Sequence, residues 1–145
     1  MNLADVLARI PYLRVHELSV DAGDGNGAVQ VRMPVHREVT NHLGIMHAGA
    51  LFTAAETAAG VAAWCIVPAD RAYVLLRGAQ IRYTRRAEGD VVASAHVADG
   101  QAETARAAFD DRGRADAVVE VSMTDPAGET VFEGSFDYAL RPRQS

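Results

Sequence analysis

Asn41-His42-Leu43-Gly44-Ile45-Met46-His47-Ala48-Gly49-Ala50-Leu51-Phe52-Thr53-Ala54-Ala55-Glu56-Thr57-Ala58-Ala59-Gly60-Val61-Ala62-Ala63-Trp64 is the stretch on which the reading of this chain turns. Between His47 and Trp64 the sole ionisable group is Glu56, set among small and apolar residues. Burying a lone carboxylate costs several kcal/mol or forces it to take up a proton. Two readings follow: a carboxylate kept for chemistry, or a structural one that bridges two helices at an interface.

The run predicts one long helix over 47–66, closed by Pro68. On a 3.6-residue repeat, Gly49, Thr53, Glu56, Gly60 and Ala63 share a stripe of mostly very small residues, so a partner helix or a ligand can approach the carboxylate closely. Leu51, Phe52, Ala55, Ala59 and Ala62 form a second stripe with the character of ordinary core. A helix apolar nearly all round has to be covered on most sides.

The rest of the chain supplies the cover. Residues 2–9 read as a short helix capped by Asn2 and ended by Pro11. Strand character runs over 13–20 and 28–35, joined by the turn-forming Asp21-Ala22-Gly23-Asp24-Gly25-Asn26-Gly27. A calcium loop is disfavoured there, because the twelfth position from Asp21 is Arg32 where a bidentate Glu is needed. A loop over 36–46 leads into the long helix. Further strands are predicted at 72–85, 89–98, 115–125 and 129–140, with a small helix over 101–111 stopped at Arg112-Gly113. The order predicts an α+β fold in which one antiparallel sheet of about six strands curves around the central helix, with a second subunit over the remaining face.

Composition narrows the function classes. The 145 residues are 49% hydrophobic and carry a net charge of −5, which fits one globular domain over 1–145 and lends no support to nucleic acid or a membrane as partner. The sequence shows no signal-peptide pattern and no apolar run of transmembrane length. Its single cysteine, Cys65, excludes an internal disulfide and fits the cytoplasm. His16, His36 and His96 lack metal-ligand spacing, so neither a metal nor another cofactor is expected. Arg82, Arg85 and Arg86 form a local basic cluster: either a solvated strand end or an anchor for phosphates, which forked guanidinium donors suit.

At the start of the long helix, the backbone N–H groups of about 47–50 lack intrahelical acceptors and point along the positive end of the dipole, a geometry that polarises a carbonyl. Glu56 lies eight residues beyond Ala48 (56 − 48), about 12 Å by helical rise. One helix does not easily bring both groups onto one small carbonyl. The geometry works more easily when the amide and the carboxylate come from different subunits.

Asn41-x-x-Gly44-x-x-His47-Ala48-Gly49-Ala50 followed by Glu56 resembles hotdog-fold thioesterases of the phenylacetate-pathway (PaaI-like) type and allied hotdog families. Asn41 lies fifteen residues before Glu56 (56 − 41), as in their pattern, and Tyr83-x-x-Arg86-Ala87-x-Gly89-Asp90 belongs to the same likeness. The resemblance implies a hotdog domain, dimeric or a dimer of dimers, that hydrolyses a coenzyme A thioester. Glu56 would be nucleophile or general base, the Ala48 amide would polarise the thioester, and Asn41 and His47 would position water or substrate. Gly49 and Thr53 would lie against the substrate, and Arg82, Arg85 and Arg86 would meet the coenzyme A phosphates. The carboxylate and the amide side come from opposite subunits in such enzymes.

Two departures stand out. Ala48 replaces the first glycine of the usual His-Gly-Gly, and Val74-Leu75-Leu76-Arg77 lacks the hydroxyl that often assists the carboxylate, leaving Thr53 or Thr57 as substitutes. From the residues alone, His47 and Asn41 could equally cap the helix and order the loop. Two other functions compete: a non-catalytic acyl-CoA binder, and a hotdog dehydratase using His42, whose flanking Phe-Pro-Gly is missing here.

Overall fold

The computed structural model describes residues 3–21 and 28–144. The elements run α1 (Leu3–Ala8), a 3-10 turn (Pro11–His16), β1 (Ser19–Asp21), β2 (Ala28–Met33), a second 3-10 turn (Arg37–Val39), α2 (Ala48–Trp64), β3 (Ala72–Tyr83), β4 (Val91–Val97), α3 (Gln101–Arg112), β5 (Ala115–Thr124) and β6 (Thr130–Pro142). The strands form one six-stranded sheet in the order β1-β2-β4-β5-β6-β3, every neighbouring pair antiparallel. The sheet curves around α2, which packs most extensively against β4, β2 and β5. This is the hotdog arrangement that the central motif implies.

Strand alternation builds the concave wall. In β2 the inward residues are Val29, Val31 and Met33; in β4 they are Val91, Ala93, Ala95 and Val97; in β5, Ala115, Ala117, Val119, Val121 and Met123. Against them lie Ala54, Ala55, Ala58, Ala59, Ala62 and Ala63 of α2, all without solvent exposure. Small residues on both sides let helix and sheet approach closely, so dispersion contacts stand in for bulky side chains in a chain poor in aromatics. Larger groups there would overpack, at about 1–3 kcal/mol each.

The sequence-derived bounds of α2, α3 and strands β2 to β6 agree with the structure to within two residues at each end. Gly113 ends α3 as expected, in the left-handed region at φ 72° with its N–H donated to the Phe109 carbonyl. The Asn2 cap and residues 22–27 of the expected turn lie outside the described residues.

The expected strand over 13–20 is corrected. Pro11 opens a 3-10 turn to His16, Glu17 then reverses the chain at φ 54°, and strand structure is confined to Ser19–Asp21. The alternation of Leu13 and Val15 with polar neighbours misled here, because Val15 is 46% exposed and His16 is the buried residue of the turn. Wound this way, the segment crosses the open side of α2 instead of extending the sheet.

Candidate active site

The loop before α2 is tied by its own backbone and by Asn41. The Asn41 side-chain Oδ1 accepts from the N–H of Leu43 (2.9 Å) and Ile45 (3.4 Å), while its main chain exchanges hydrogen bonds with Ile45 and Gly44. His47 is the N-cap of α2: its Nδ1 accepts from the Gly49 N–H at 2.8 Å, and its own N–H donates to the Val39 carbonyl. The capping readings of Asn41 and His47 are therefore realised in the structure, which leaves room for further roles. Gly49's amide is taken up by the cap, which leaves the amides of Ala48, the first helical residue, and of the buried Ala50 without an i−4 acceptor in the helix. Both Ala48 and Gly49 are exposed.

The end of β3 is pinned to this helix start. Tyr83 donates its hydroxyl to the Ala48 carbonyl (2.9 Å), and the Met46 N–H donates to the carbonyl of Ala87. Arg82, Arg85 and Arg86 are thus held at the same end of the molecule as Asn41, His47 and Ala48. All three arginines are exposed; Arg85 pairs with Glu129 (2.9 Å), and Arg82 stands opposite Glu133 in the β3–β6 register.

Glu56 sits two turns further along α2. It lines a cleft of about 310 Å³ walled by Leu7, Ile10, Tyr12 and Leu13 on the N-terminal side, by Val74 of β3, and by α2 from Phe52 to Trp64. The open face of α2 is Phe52, Glu56, Gly60 and Trp64, spaced four residues apart and partly exposed. The expected small stripe shifts accordingly: Thr53 and Ala63 are buried, and Phe52 leaves the core stripe to face the cleft, its ring 5.7 Å from that of Phe136. A one-residue rotation on a helical wheel is not resolved by a pattern of alanines, because the sheet decides which side is covered.

Burial raises the Glu56 carboxyl above its ordinary value, and a hydrogen bond from Tyr138 partly offsets the rise. The Tyr138 hydroxyl, carried inward by β6, lies 2.9 Å from Glu56 Oε1 and 3.0 Å from the Glu56 carbonyl. Burial first, then the Glu56 charge and hydrogen bond, push Tyr138 above the ordinary tyrosine range, so it remains a donor. Thr53 and Thr57 are not the substitutes that the sequence offered: each donates to a carbonyl four residues back, those of Gly49 (2.9 Å) and Thr53 (2.7 Å). Thr53 Oγ1 also meets the Tyr12 hydroxyl at 3.1 Å, which ties the 3-10 turn across the cleft.

Within one chain, then, Glu56 and Thr53 line the cleft, and Asn41, His47, Ala48, Gly49 and the arginines gather at the far end of α2. His42 is exposed in the turn and lines no part of the cleft. Among the described residues no three His, Cys, Asp or Glu side chains gather where a metal ion would be held. Sequence reasoning missed Tyr138. A signal was available: Phe132, Phe136, Tyr138 and Leu140 alternate inward along β6, and a buried tyrosine hydroxyl needs a partner.

A family model described as "Domain of unknown function (DUF4442)" matches residues 3–140. The chain belongs to the DUF4442 family. Among solved structures, this DUF4442 chain is similar to PA5026 of Pseudomonas aeruginosa, described as a "Probable Thioesterase", at 30% identity, TM-score 0.78, covering 92% of this chain and 89% of that one. It also matches the thioesterase SAV0944 of Staphylococcus aureus at 21% identity and TM-score 0.76, over 90% and 98% of the two chains. The thioesterase HI1161 of Haemophilus influenzae matches at 14% identity and TM-score 0.78, over 98% and 92%. At those lower identities the likeness shows the fold, and the fold is that of the hotdog thioesterases. No curated protein matches the sequence. Among the described residues of this DUF4442 chain, no helix is long and apolar enough to cross a membrane.

Proposed function

We propose that this DUF4442 protein hydrolyses acyl- or aryl-CoA thioesters at a site shared by two subunits. The observation that carries the reading is Glu56, a carboxylate raised above its ordinary pKa in an apolar cleft large enough for a small acyl group. The relative described as a probable thioesterase supports the reaction class. The acyl group lies in the cleft beside Glu56. The thioester carbonyl accepts from the Ala48 amide of the partner subunit, with Asn41 ordering the loop that holds water or substrate. Gly49 lets the thioester approach the helix start, and Arg82, Arg85 and Arg86 meet the coenzyme A phosphates.

Two routes keep atoms in balance. As general base, Glu56 takes a proton from water, the hydroxide oxygen bonds to the carbonyl carbon, the oxyanion rests on the Ala48 amide, and collapse breaks C–S, with the proton passing to the departing thiolate. As nucleophile, Glu56 attacks the carbon directly, expels the thiolate and forms a mixed anhydride that water then cleaves. Both need Glu56 ionised, so turnover falls on acidification, with its midpoint above the ordinary carboxylate range. A carboxyl tuned upward is also a stronger base near neutral pH. The reaction is placed in the cytoplasm and uses no cofactor.

The second subunit is part of this reading. β3 is an edge strand that exposes Tyr73, Leu75, Leu76, Ile81 and Tyr83, between 38% and 53% each, and an unpaired apolar edge invites another strand. Leu75→Lys with Ile81→Lys is expected to convert a dimer into a monomer by light scattering and to remove turnover with it. Hydrolysis is tested by thiol release from a panel of acyl- and aryl-CoAs. Release by the pure protein is the expected result; saturable binding of every ester without release would favour an acyl-CoA binder instead.

A further inference from the structure

We infer that Tyr138 is the positioning residue of the site: its buried hydroxyl holds one oxygen of the Glu56 carboxylate and leaves the other to face the cleft. The inference rests on the reading of Glu56 as the reacting carboxylate. Tyr138 lies on β6, paired on both sides, opposite Leu76 of β3 and Ala117 of β5, and is 1% exposed. Its oxygen is therefore fixed by strands on both sides of β6. From there it reaches Glu56 twice, at the carbonyl (3.0 Å) and at Oε1 (2.9 Å). A single hydroxyl set against both the backbone and the carboxylate of one residue fixes that side chain relative to its own helix.

Among the described residues Glu56 Oε2 has no hydrogen-bond partner, so the oxygen left over is the one available to water or to the thioester. Gly60, one turn on, keeps the pair uncrowded: a Cβ there would lie 3.5 Å from the Tyr138 hydroxyl and 3.7 Å from Oε1, so longer side chains would press on both. The threonine hydroxyls of α2 are occupied by helix carbonyls, and the strand following α2 carries no hydroxyl at Val74-Leu75-Leu76-Arg77. The group that assists the carboxylate thus comes from β6, the last strand of the sheet.

A hydrogen bond to the charged form favours that form, so removing it works against ionisation of Glu56. In Tyr138→Phe, kcat at neutral pH is expected to fall roughly tenfold with KM changed less than about twofold, and the acidic limb of the pH–rate profile should move up by about one pH unit. Replacing Tyr138 by 3-fluorotyrosine preserves shape and strengthens the donor, and should move the limb down. A residue that served only packing would shift neither limb. Unchanged limbs in both proteins overturn the inference; if Tyr138→Phe loses its circular dichroism, an unmoved limb in the fluorotyrosine protein does so alone. Glu56→Gln is assayed beside them. Full turnover by Glu56→Gln removes the reading of Glu56 itself, whereas an inactive Glu56→Gln with unmoved Tyr138 limbs removes only the positioning role.

Discussion

Glu56→Gln is expected to lower thiol release by roughly 10²–10⁴-fold while making the protein more stable at neutral pH. The first effect follows from loss of the base or nucleophile, the second from burial, which raises the carboxyl in the native state. The sign is fixed by proton linkage. Below the ordinary carboxylate pKa the group is protonated in both native and unfolded protein, and its burial costs little. As pH rises through the raised native value, the folded protein must ionise a carboxylate in an apolar cleft, and stability is lost. Glutamine retains an oxygen for Tyr138 to donate to and never ionises. The Tm of Glu56→Gln should therefore exceed that of the parent at neutral pH, and the difference should vanish in acid. A structural carboxylate bridging two helices would behave oppositely, with Glu56→Gln less stable near neutrality.

Ala48→Pro is expected to reduce kcat by roughly 10²–10³-fold with the fold intact, which circular dichroism and Tm would show. Ala48 is the first residue of α2, where proline is favoured because the N–H has no helical acceptor. The residue before it, His47, already has φ −65° and ψ 139°, the extended conformation that a following proline requires. The helix, the His47 cap on Gly49 and the Tyr83 bond to the Ala48 carbonyl are all compatible with the change. What disappears is the amide hydrogen, so a loss in kcat with little change in KM isolates its role at the oxyanion.

The central helix and sheet were legible because their signals are local. Alternation in β2, β4 and β5, turn residues at Asp125 and Gly128, and an alanine run ended by Pro68 each specify one element without reference to the others. Glu56 was legible for a similar reason, as the one charge in that run. The walls of its cleft were not. Ile10, Tyr12 and Leu13 meet α2 beside Leu7 of the first helix because Pro11 starts a 3-10 turn and Glu17 then reverses the chain, whereas the residues from Leu13 onward also fit the strand expected over 13–20. Tyr138 was hidden by separation: it lies 82 positions beyond Glu56 in the chain, and strand pairing across β3, β6 and β5 brings them together. The arginine cluster was visible as charge, while the Arg85–Glu129 pair, exposed on both sides, is worth little to stability.

The central claim is that Glu56 and the Ala48 amide acting on one thioester belong to different subunits. Mixing Glu56→Gln with Ala48→Pro tests it most directly, since each dimer alone is inactive. In a two-fold symmetric dimer, each mixed dimer carries one site with both changes and one with neither. After full exchange at equal concentrations half of the dimers are mixed, so activity should return to about a quarter of the parent value. Mixed dimers verified by native mass spectrometry that remain as inactive as the two starting proteins would contradict the account.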